Sequence, residues 1–176
     1  MQSISIAPGQ WRLNRELAGG GPLLEVGIDS LNACRYLAGE EPEHISALAS
    51  VIDHDDRFNE FEENVSWTMQ FASGIVASCN ATYGAPMDEF FLVHSSKGWL
   101  EADPAFNCDD LRLCADYAGT HLDEPKPARD PYQFSVEAEH FLHCIEDGPD
   151  PKTPGEEGLR DMQYFAQIYR PAGIAL

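Results

Sequence analysis

Basic residues are scarce in this chain, and lysine is the scarcest of them. The 176 residues hold 11 Lys and Arg against 30 Asp and Glu, which gives a formal net charge of −19 at pH 7. The lysines are Lys97, Lys126 and Lys152. Nucleic acids and anionic membrane surfaces repel so acidic a protein, and the charge therefore argues against both as partners.

Long apolar runs and paired cysteines are also missing. No stretch approaches the roughly 20 apolar residues that a membrane-spanning helix needs, and the first residues do not show the pattern of a signal peptide. The five cysteines are scattered, and none has C-x-x-C spacing. We interpret them as reduced, mostly buried thiols and expect a cytoplasmic protein.

The excess of negative charge predicts a dependence on salt. Self-repulsion strains a protein of this charge, and at ~1 M salt a Debye length of about 3 Å removes most of that strain. The composition therefore favours a halophilic source. An ordinary acidic bacterial protein is the alternative.

Alternating apolar and polar residues predict the secondary structure. Residues 65–71 and 75–83 alternate on either side of Ser73-Gly74, as in a β-hairpin. Periodicity predicts further strands at 43–53, 89–95, 99–102 and 110–117, a weak strand at 2–6, a loop at 124–131, and helices at 22–38, 132–146 and 155–170. We expect Phe134, Ala138, Phe141 and Ile145, and also Leu159, Met162, Phe165 and Tyr169, to face inward. The order of elements predicts a single α+β domain over residues 1–176, with an open, mostly antiparallel β-sheet and helices packed on one face.

One face of the predicted hairpin carries no charge. It comprises Ser66, Thr68, Gln70, Val76, Ser78, Asn80 and Thr82. Since a water-facing surface of so acidic a protein should collect Asp and Glu, we interpret this face as covered by a second copy of the sheet. The alternative is that short polar residues suit a solvated β surface.

The first long helix carries the pattern of polar residues that is most typical of a catalytic or binding site. Glu25, Asp29 and Asn32 share one side of it, and Leu24, Ile28, Leu31, Cys34 and Leu37 share the other. A close carboxylate pair raises one pKa, which suits a general acid or base. The alternative is the wet face of an amphipathic helix. The preceding glycines, Gly19 to Gly21, allow either an anion cradle or a tight chain path past another surface.

Other chemical patterns are weaker. Glu137 and His140 have the spacing of a carboxylate-bridged metal helix, but a second such helix is not apparent. His54 lies among aspartates in a loop that we interpret as exposed and acidic. We recognise neither a phosphate-binding loop nor a dinucleotide fingerprint, and we assign no metal ligand and no cofactor-binding residue.

Six segments of the chain carry a family resemblance. They are W-R-L-N-R-E-L-A-G-G-G-P-L-L-E-V-G-I-D-S-L-N, R-Y-L-A-G-E-E-P, D-R-F-N-E-F-E-E, G-W-L-E-A-D-P-A-F, Q-F-S-V-E-A-E-H-F and T-P-G-E-E-G-L-R-D. Together they resemble the C-terminal domain of the glucose–fructose oxidoreductase, inositol dehydrogenase and rhizopine-catabolism (Gfo/Idh/MocA) oxidoreductases. The resemblance covers nearly the whole chain and looks closest to the sugar-oxidising branch.

The resemblance implies a dihydrodipicolinate-reductase-like C-terminal domain that contacts substrate and forms a dimer through its free sheet face. An N-terminal Rossmann domain, in cis or in trans, would bind NAD(P) and supply a catalytic lysine, and the substrate would be a sugar or polyol. That domain is absent from this chain, so we expect no turnover from these residues alone. A stand-alone, non-enzymatic dimerisation or sugar-binding module is the alternative.

The resemblance also nominates site residues. Glu25 stands where the family pattern has Asp, and Asp29 stands where it has His or Tyr. Asp29 and Glu25 are therefore the catalytic candidates, and Asn32, Arg12 and Trp11 are the candidates for substrate contacts. An aspartate accepts a hydroxyl proton only if its pKa is raised, and it does not supply the protonation switch of histidine near pH 7.

Overall fold

A computed structural model describes residue 7 and residues 9–86, 88–106, 111–125 and 133–174. The chain divides into two compact units. The first takes its described residues from Met1–Met87 and Gly155–Leu176, and the second from Asp88–Pro154. The strand predicted at 2–6, much of the loop predicted at 124–131, and Cys108 lie outside the described residues.

The described elements are mostly those that periodicity predicts. The helices are α1 (Arg15–Ala18), α2 (Pro22–Glu25), α3 (Gly27–Ala38), α4 (Gln133–Asp147) and α5 (Gly155–Ala172), with 3₁₀ turns at Trp11–Leu13 and Asp56–Phe58. The strands are β1 (Pro42–Ser50), β2 (Asn64–Phe71), β3 (Val76–Thr82), β4 (Phe91–Ser95), β5 (Gly98–Ala102), β6 (Arg112–Tyr117) and β7 (Thr120–Pro125). The strand β7 and the short helix α1 are additions to the predicted set.

Local signals explain the helical segment before the first sheet. The side chain of Asn14 caps α1 by accepting from the Leu17 amide, and Gly19 ends α1 with a φ of 76°. Pro22 begins α2. The helix predicted as one piece is interrupted at Val26, so Glu25 ends α2 and Asp29 belongs to α3.

In the first unit, β1, β2 and β3 form an antiparallel sheet in that order. Trp67 pairs with Ala47 on one side and with Cys79 on the other, which places all three on the same face. That face packs under α3 and α5. The core comprises Leu23, Leu31, Ala47, Val65, Trp67, Met69, Phe71, Ala81, Tyr164, Phe165, Ile168 and Tyr169.

The opposite face of this sheet is open. Ser66, Gln70, Val76, Ser78 and Asn80 are exposed, and Thr68 and Thr82 are half-buried. On β1, Leu48 lies on the same face because it pairs with Ser66, and it is 79% exposed. An uncharged face thus reaches solvent in the single chain.

The second unit is built on a four-stranded antiparallel meander, β4-β5-β6-β7, with α4 following it in sequence. Together the two units confirm the α+β class with antiparallel sheets and helices, although the strands form two sheets. The predicted inward face of α4 is wrong, because Phe134, Ala138, Phe141 and Ile145 are all exposed. The prediction for α5 is half right, since Phe165 and Tyr169 are buried whereas Leu159 and Met162 are exposed. Periodicity identifies the apolar side of a helix but not what covers it.

Candidate functional site

Glu25 is the centre of a polar cluster at the end of α2. Its Oε1 accepts a hydrogen bond from Nε of Arg12, and its Oε2 accepts one from the hydroxyl of Tyr83. The Arg12 guanidinium carbon also lies 4.6 Å from the centre of the Trp11 ring, within range of a cation–π contact. Three of the predicted site residues, Glu25, Arg12 and Trp11, are therefore brought together, and Tyr83 joins them.

The electrostatics of this cluster favour a charged Arg12 and a neutral phenol at Tyr83. The hydrogen bond that Arg12 donates to Glu25 raises the pKa of Arg12, so the guanidinium stays charged. Burial raises the pKa of Tyr83, and the Glu25 carboxylate raises it further. Because each Glu25 oxygen accepts a hydrogen bond, this carboxylate holds Arg12 and Tyr83 in place.

Each of the three glycines before α2 is required for a local structural reason. Gly19 adopts positive φ, and a Cβ on Gly20 would lie 2.7 Å from Cδ1 of Leu24. A Cβ on Gly21 would lie 2.8 Å from the carboxyl carbon and both oxygens of Glu62. The loop therefore follows a tight path, and the carboxylate that it approaches belongs to the chain itself.

Glu62 is a buried acid with few partners. It is 4% exposed, and its Oε1 accepts a hydrogen bond of 2.9 Å from the Tyr169 hydroxyl. Among the described residues its Oε2 has no hydrogen-bond partner. Burial raises the pKa of Glu62 above that of an ordinary glutamate.

This arrangement bears on whether the glycine loop fits a nicotinamide dinucleotide. A phosphate-binding loop needs a free helix N-terminus approached closely by backbone. Here the Glu62 carboxyl group occupies the space beside Gly21, and the loop follows the helix α1, whereas a dinucleotide fingerprint follows a strand. The loop does not fit a dinucleotide phosphate.

Asp29 has the most accessible carboxylate of the predicted site. It lies in the first turn of α3 and is exposed. Partial burial nevertheless raises its pKa above that of an ordinary aspartate. Within the described part of the chain, no hydrogen bond or ion pair to this carboxylate is present.

Asn32 belongs to a different cluster, between α3 and α5. Its Nδ2 donates to the Ile28 carbonyl at 3.3 Å and to Oδ2 of Asp161 at 3.2 Å. The other Asp161 oxygen, Oδ1, accepts from Nη1 of Arg35 at 2.7 Å, and both charged residues are buried. The Asn32 side chain is thus fixed by a buried ion pair.

Arg35 also forms ion pairs with two more carboxylates. Glu41 accepts from its Nε and Nη2 at 2.7 and 2.8 Å, and Glu157 lies 2.6 Å from its Nη2. The hydrogen bonds with Arg35 lower the pKa of Glu41 to about 2. Burial, followed by the hydrogen bond to Glu41, raises the pKa of Tyr164 to about 12. This network ties α3, the start of β1 and α5 together.

Sequence reasoning missed Tyr83, Glu62, Asp161 and Arg35. Only Tyr83 carries a signal, because it continues the inward alternation of the hairpin just beyond β3. The two acids are indistinguishable in sequence from the other carboxylates of the chain. No group of three or more His, Cys, Asp or Glu side chains in the described ranges is arranged to hold a metal ion, and no helix described there is long and apolar enough to cross a membrane.

Comparison with known proteins identifies the family of the chain. Residues 2–101 match the family described as the GFO/IDH/MocA C-terminal domain. A curated relative, D-xylose 1-dehydrogenase (NADP(+)) of Haloarcula marismortui, is 30% identical over 164 residues, covering 92% of this chain and 44% of the relative. Inositol 2-dehydrogenase of Rhizobium meliloti is 31% identical, covering 80% of this chain and 44% of the relative.

Solved structures of oxidoreductases are also similar to this chain. Aldose-aldose oxidoreductase from Caulobacter crescentus, crystallised with glycerol, superposes with a TM-score of 0.87 at 41% identity, over 94% of this chain and 49% of that one. A levoglucosan dehydrogenase in complex with NADH superposes with a TM-score of 0.76 at 19% identity, over 98% of this chain and 53% of that one, which shows a shared fold. The chain spans about half the length of the curated relatives that it matches.

Proposed function

Because the chain belongs to the GFO/IDH/MocA oxidoreductase family as its C-terminal domain, we propose that it forms the substrate-binding and dimerisation half of an NAD(P)-dependent sugar or polyol oxidoreductase. The relative named as a D-xylose 1-dehydrogenase (NADP(+)) supports an aldose substrate and NADP. Since the glycine loop does not fit a dinucleotide, we assign cofactor binding to a Rossmann domain, in cis or in trans.

We assign Asp29 as the general base that accepts the proton of the reacting hydroxyl group. Its carboxylate is accessible, and its raised pKa improves it as a base relative to an ordinary aspartate. Asp29 becomes neutral when it accepts this proton, and it has to release the proton to solvent before the next turnover.

Glu25, with Arg12 and Trp11, forms the adjoining wall of the proposed sugar site. Since Glu25 is held by Arg12 and Tyr83, its proposed role is to fix donors that face the sugar hydroxyls. The exposed Trp11 ring offers an apolar surface for a sugar face. Asn32, held by Asp161, is the remaining proposed contact.

The experiment joins this chain to an NADP-binding Rossmann half and follows NADP reduction with D-xylose and other aldoses. We expect turnover that Asp29→Asn abolishes and Glu25→Gln reduces mainly through KM. Ser30→Ala, next to Asp29 in the same helix turn, is the matched control and should leave kcat unchanged. A joined protein that binds aldoses but gives no reduction would favour the non-enzymatic sugar-binding module.

The open sheet face supports the dimer. It is uncharged in a chain of net charge −19 and includes exposed Leu48 and Val76. We expect sedimentation of this chain to give a dimer at micromolar concentration, and Leu48→Asp to give a monomer. Leu17→Asp is the matched control, because Leu17 is also exposed but lies in α1. A monomeric parent chain would exclude this interface. A cytoplasmic, salt-rich environment remains part of the proposal.

A further inference from the structure

Two of the cysteines meet inside the first unit. Cys34 lies in α3 and Cys79 in β3, and their sulfur atoms are 3.5 Å apart although 45 positions separate them in the chain. Both are half-buried and pack against the main core. Nothing in the sequence spacing indicates this contact, which the fold creates by packing α3 onto the inner face of the sheet.

The surroundings suit oxidation of the pair. The sulfur atoms must approach by about 1.5 Å to reach the S–S bond length of roughly 2.05 Å. The hydrogen bond from Cys79 lowers the pKa of Cys34, so Cys34 has the greater thiolate character. The hydrogen bond with Cys34, together with burial, raises the pKa of Cys79, which keeps that sulfur protonated. One thiolate next to one thiol is the usual pairing of an attacking and a resolving cysteine.

We propose that Cys34 and Cys79 form a reversible intramolecular disulfide that joins α3 to β3 when the protein meets hydrogen peroxide. The Cys34 thiolate attacks one peroxide oxygen, the O–O bond breaks, and the departing hydroxide takes a proton from solvent to become water. The Cys79 sulfur then attacks the sulfur of the Cys34 sulfenic acid. The S–O bond breaks, and a second water leaves with the Cys79 proton. Two thiols and one peroxide thus give one disulfide and two waters.

The consequence is a redox-controlled covalent crosslink in the unit that carries the proposed sugar site. A crosslink across 45 residues removes chain entropy from the unfolded state and should raise the melting temperature of this unit by roughly 8–16 °C. The helix that it fixes also carries Asp29 and Asn32.

The test treats the purified chain with hydrogen peroxide, quenches it with an alkylating reagent and maps the tryptic peptides. Every cysteine lies on a different tryptic peptide, and Cys34 and Cys79 fall on residues 16–35 and 58–97. We expect the intact mass before alkylation to fall by the mass of two hydrogen atoms, these two peptides to be linked, the melting temperature to rise, and dithiothreitol to reverse all three changes. Links that involve Cys114 or Cys144, links between chains, or sulfonic acid at Cys34 without a link would overturn the proposal.

Single variants separate the two sulfurs from general oxidation. Cys79→Ser should lose the peroxide-dependent rise in melting temperature and leave a Cys34 sulfenic acid that dimedone captures. Cys144→Ser, which removes a half-buried cysteine of the second unit, is the matched control and should keep the rise. An equal response of Cys79→Ser and Cys144→Ser would contradict the assignment. The measurement uses neither sugar nor NADP, so its result is independent of the proposed enzymatic function.

Discussion

Arg35 provides the sharpest test of how the site unit holds together. It is 6% exposed and contacts three carboxylates, those of Asp161, Glu41 and Glu157, at 2.6–2.8 Å. In Arg35→Gln the guanidinium charge disappears while all three carboxylates remain. Asp161 is itself only 5% exposed, so its charge is left buried beside two like charges.

Removal of one partner from a buried ion pair costs about 3–5 kcal/mol, because the other charge loses its compensation. We expect Arg35→Gln to lower the free energy of unfolding by that amount. Arg57→Gln is the matched control in the same unit. Arg57 also pairs with more than one carboxylate, but Asp53 and Asp55 are exposed, so its loss should destabilise the chain far less than the loss of Arg35.

The assay is urea unfolding followed by fluorescence, since Trp67 is buried in the core of the same unit. With a slope of about 2 kcal/mol per molar urea, the midpoint of Arg35→Gln should fall by roughly 1.5–2.5 M. Its deficit should shrink as the pH falls towards 2, because the parent chain then loses the stabilisation that Arg35 provides by lowering the pKa of Glu41. Equal losses for Arg35→Gln and Arg57→Gln, or a deficit that does not change with pH, would refute the reasoning.

Three further outcomes follow from the same structure. Arg35 lowers the pKa of Glu41 from 4.5 to about 2, so its stabilising contribution is complete above pH 4.5 and is lost as the pH falls towards 2. Glu41 is 44% exposed, and screening reduces this contribution to about 1 kcal/mol, which Glu41→Gln should remove from the acid unfolding profile. Gly21→Ala should cost about 1–3 kcal/mol because its Cβ meets the Glu62 carboxyl group, whereas Gly158→Ala, with open space around it in α5, should stabilise by about 0.5–1 kcal/mol; equal effects on urea midpoints would contradict this. The melting temperature should rise between low salt and molar KCl, and a flat response would exclude the halophilic interpretation.

Much of the fold could be read from local patterns. The hairpin at β2 and β3 was predictable because strict alternation on both sides of Ser73-Gly74 leaves few other structures open. The helix ends were predictable from Pro22 and Gly39, whose backbone preferences act within one residue. The family could be recognised because its motifs are contiguous stretches of sequence.

The site was only partly predictable. Glu25, Arg12 and Trp11 came together as a group, but Tyr83 joined them from 58 positions away. The interruption at Val26 places Glu25 in α2 and Asp29 in α3, whereas the sequence pattern predicts one continuous helix. The burial of Glu62 and Asp161 followed no local rule, because a carboxylate is buried only where a distant hydroxyl or guanidinium compensates it.

The amino-acid sequence by itself determined the alternation, the caps, the acidic charge and the family motifs, since each depends on residues close together in the chain or on composition alone. Tertiary structure decided which carboxylates are buried, what stands beside the glycines, and that the sulfurs of Cys34 and Cys79 touch. These outcomes depend on how α3 and α5 pack across one face of the sheet, and packing joins residues whose separation in sequence carries no information about their distance.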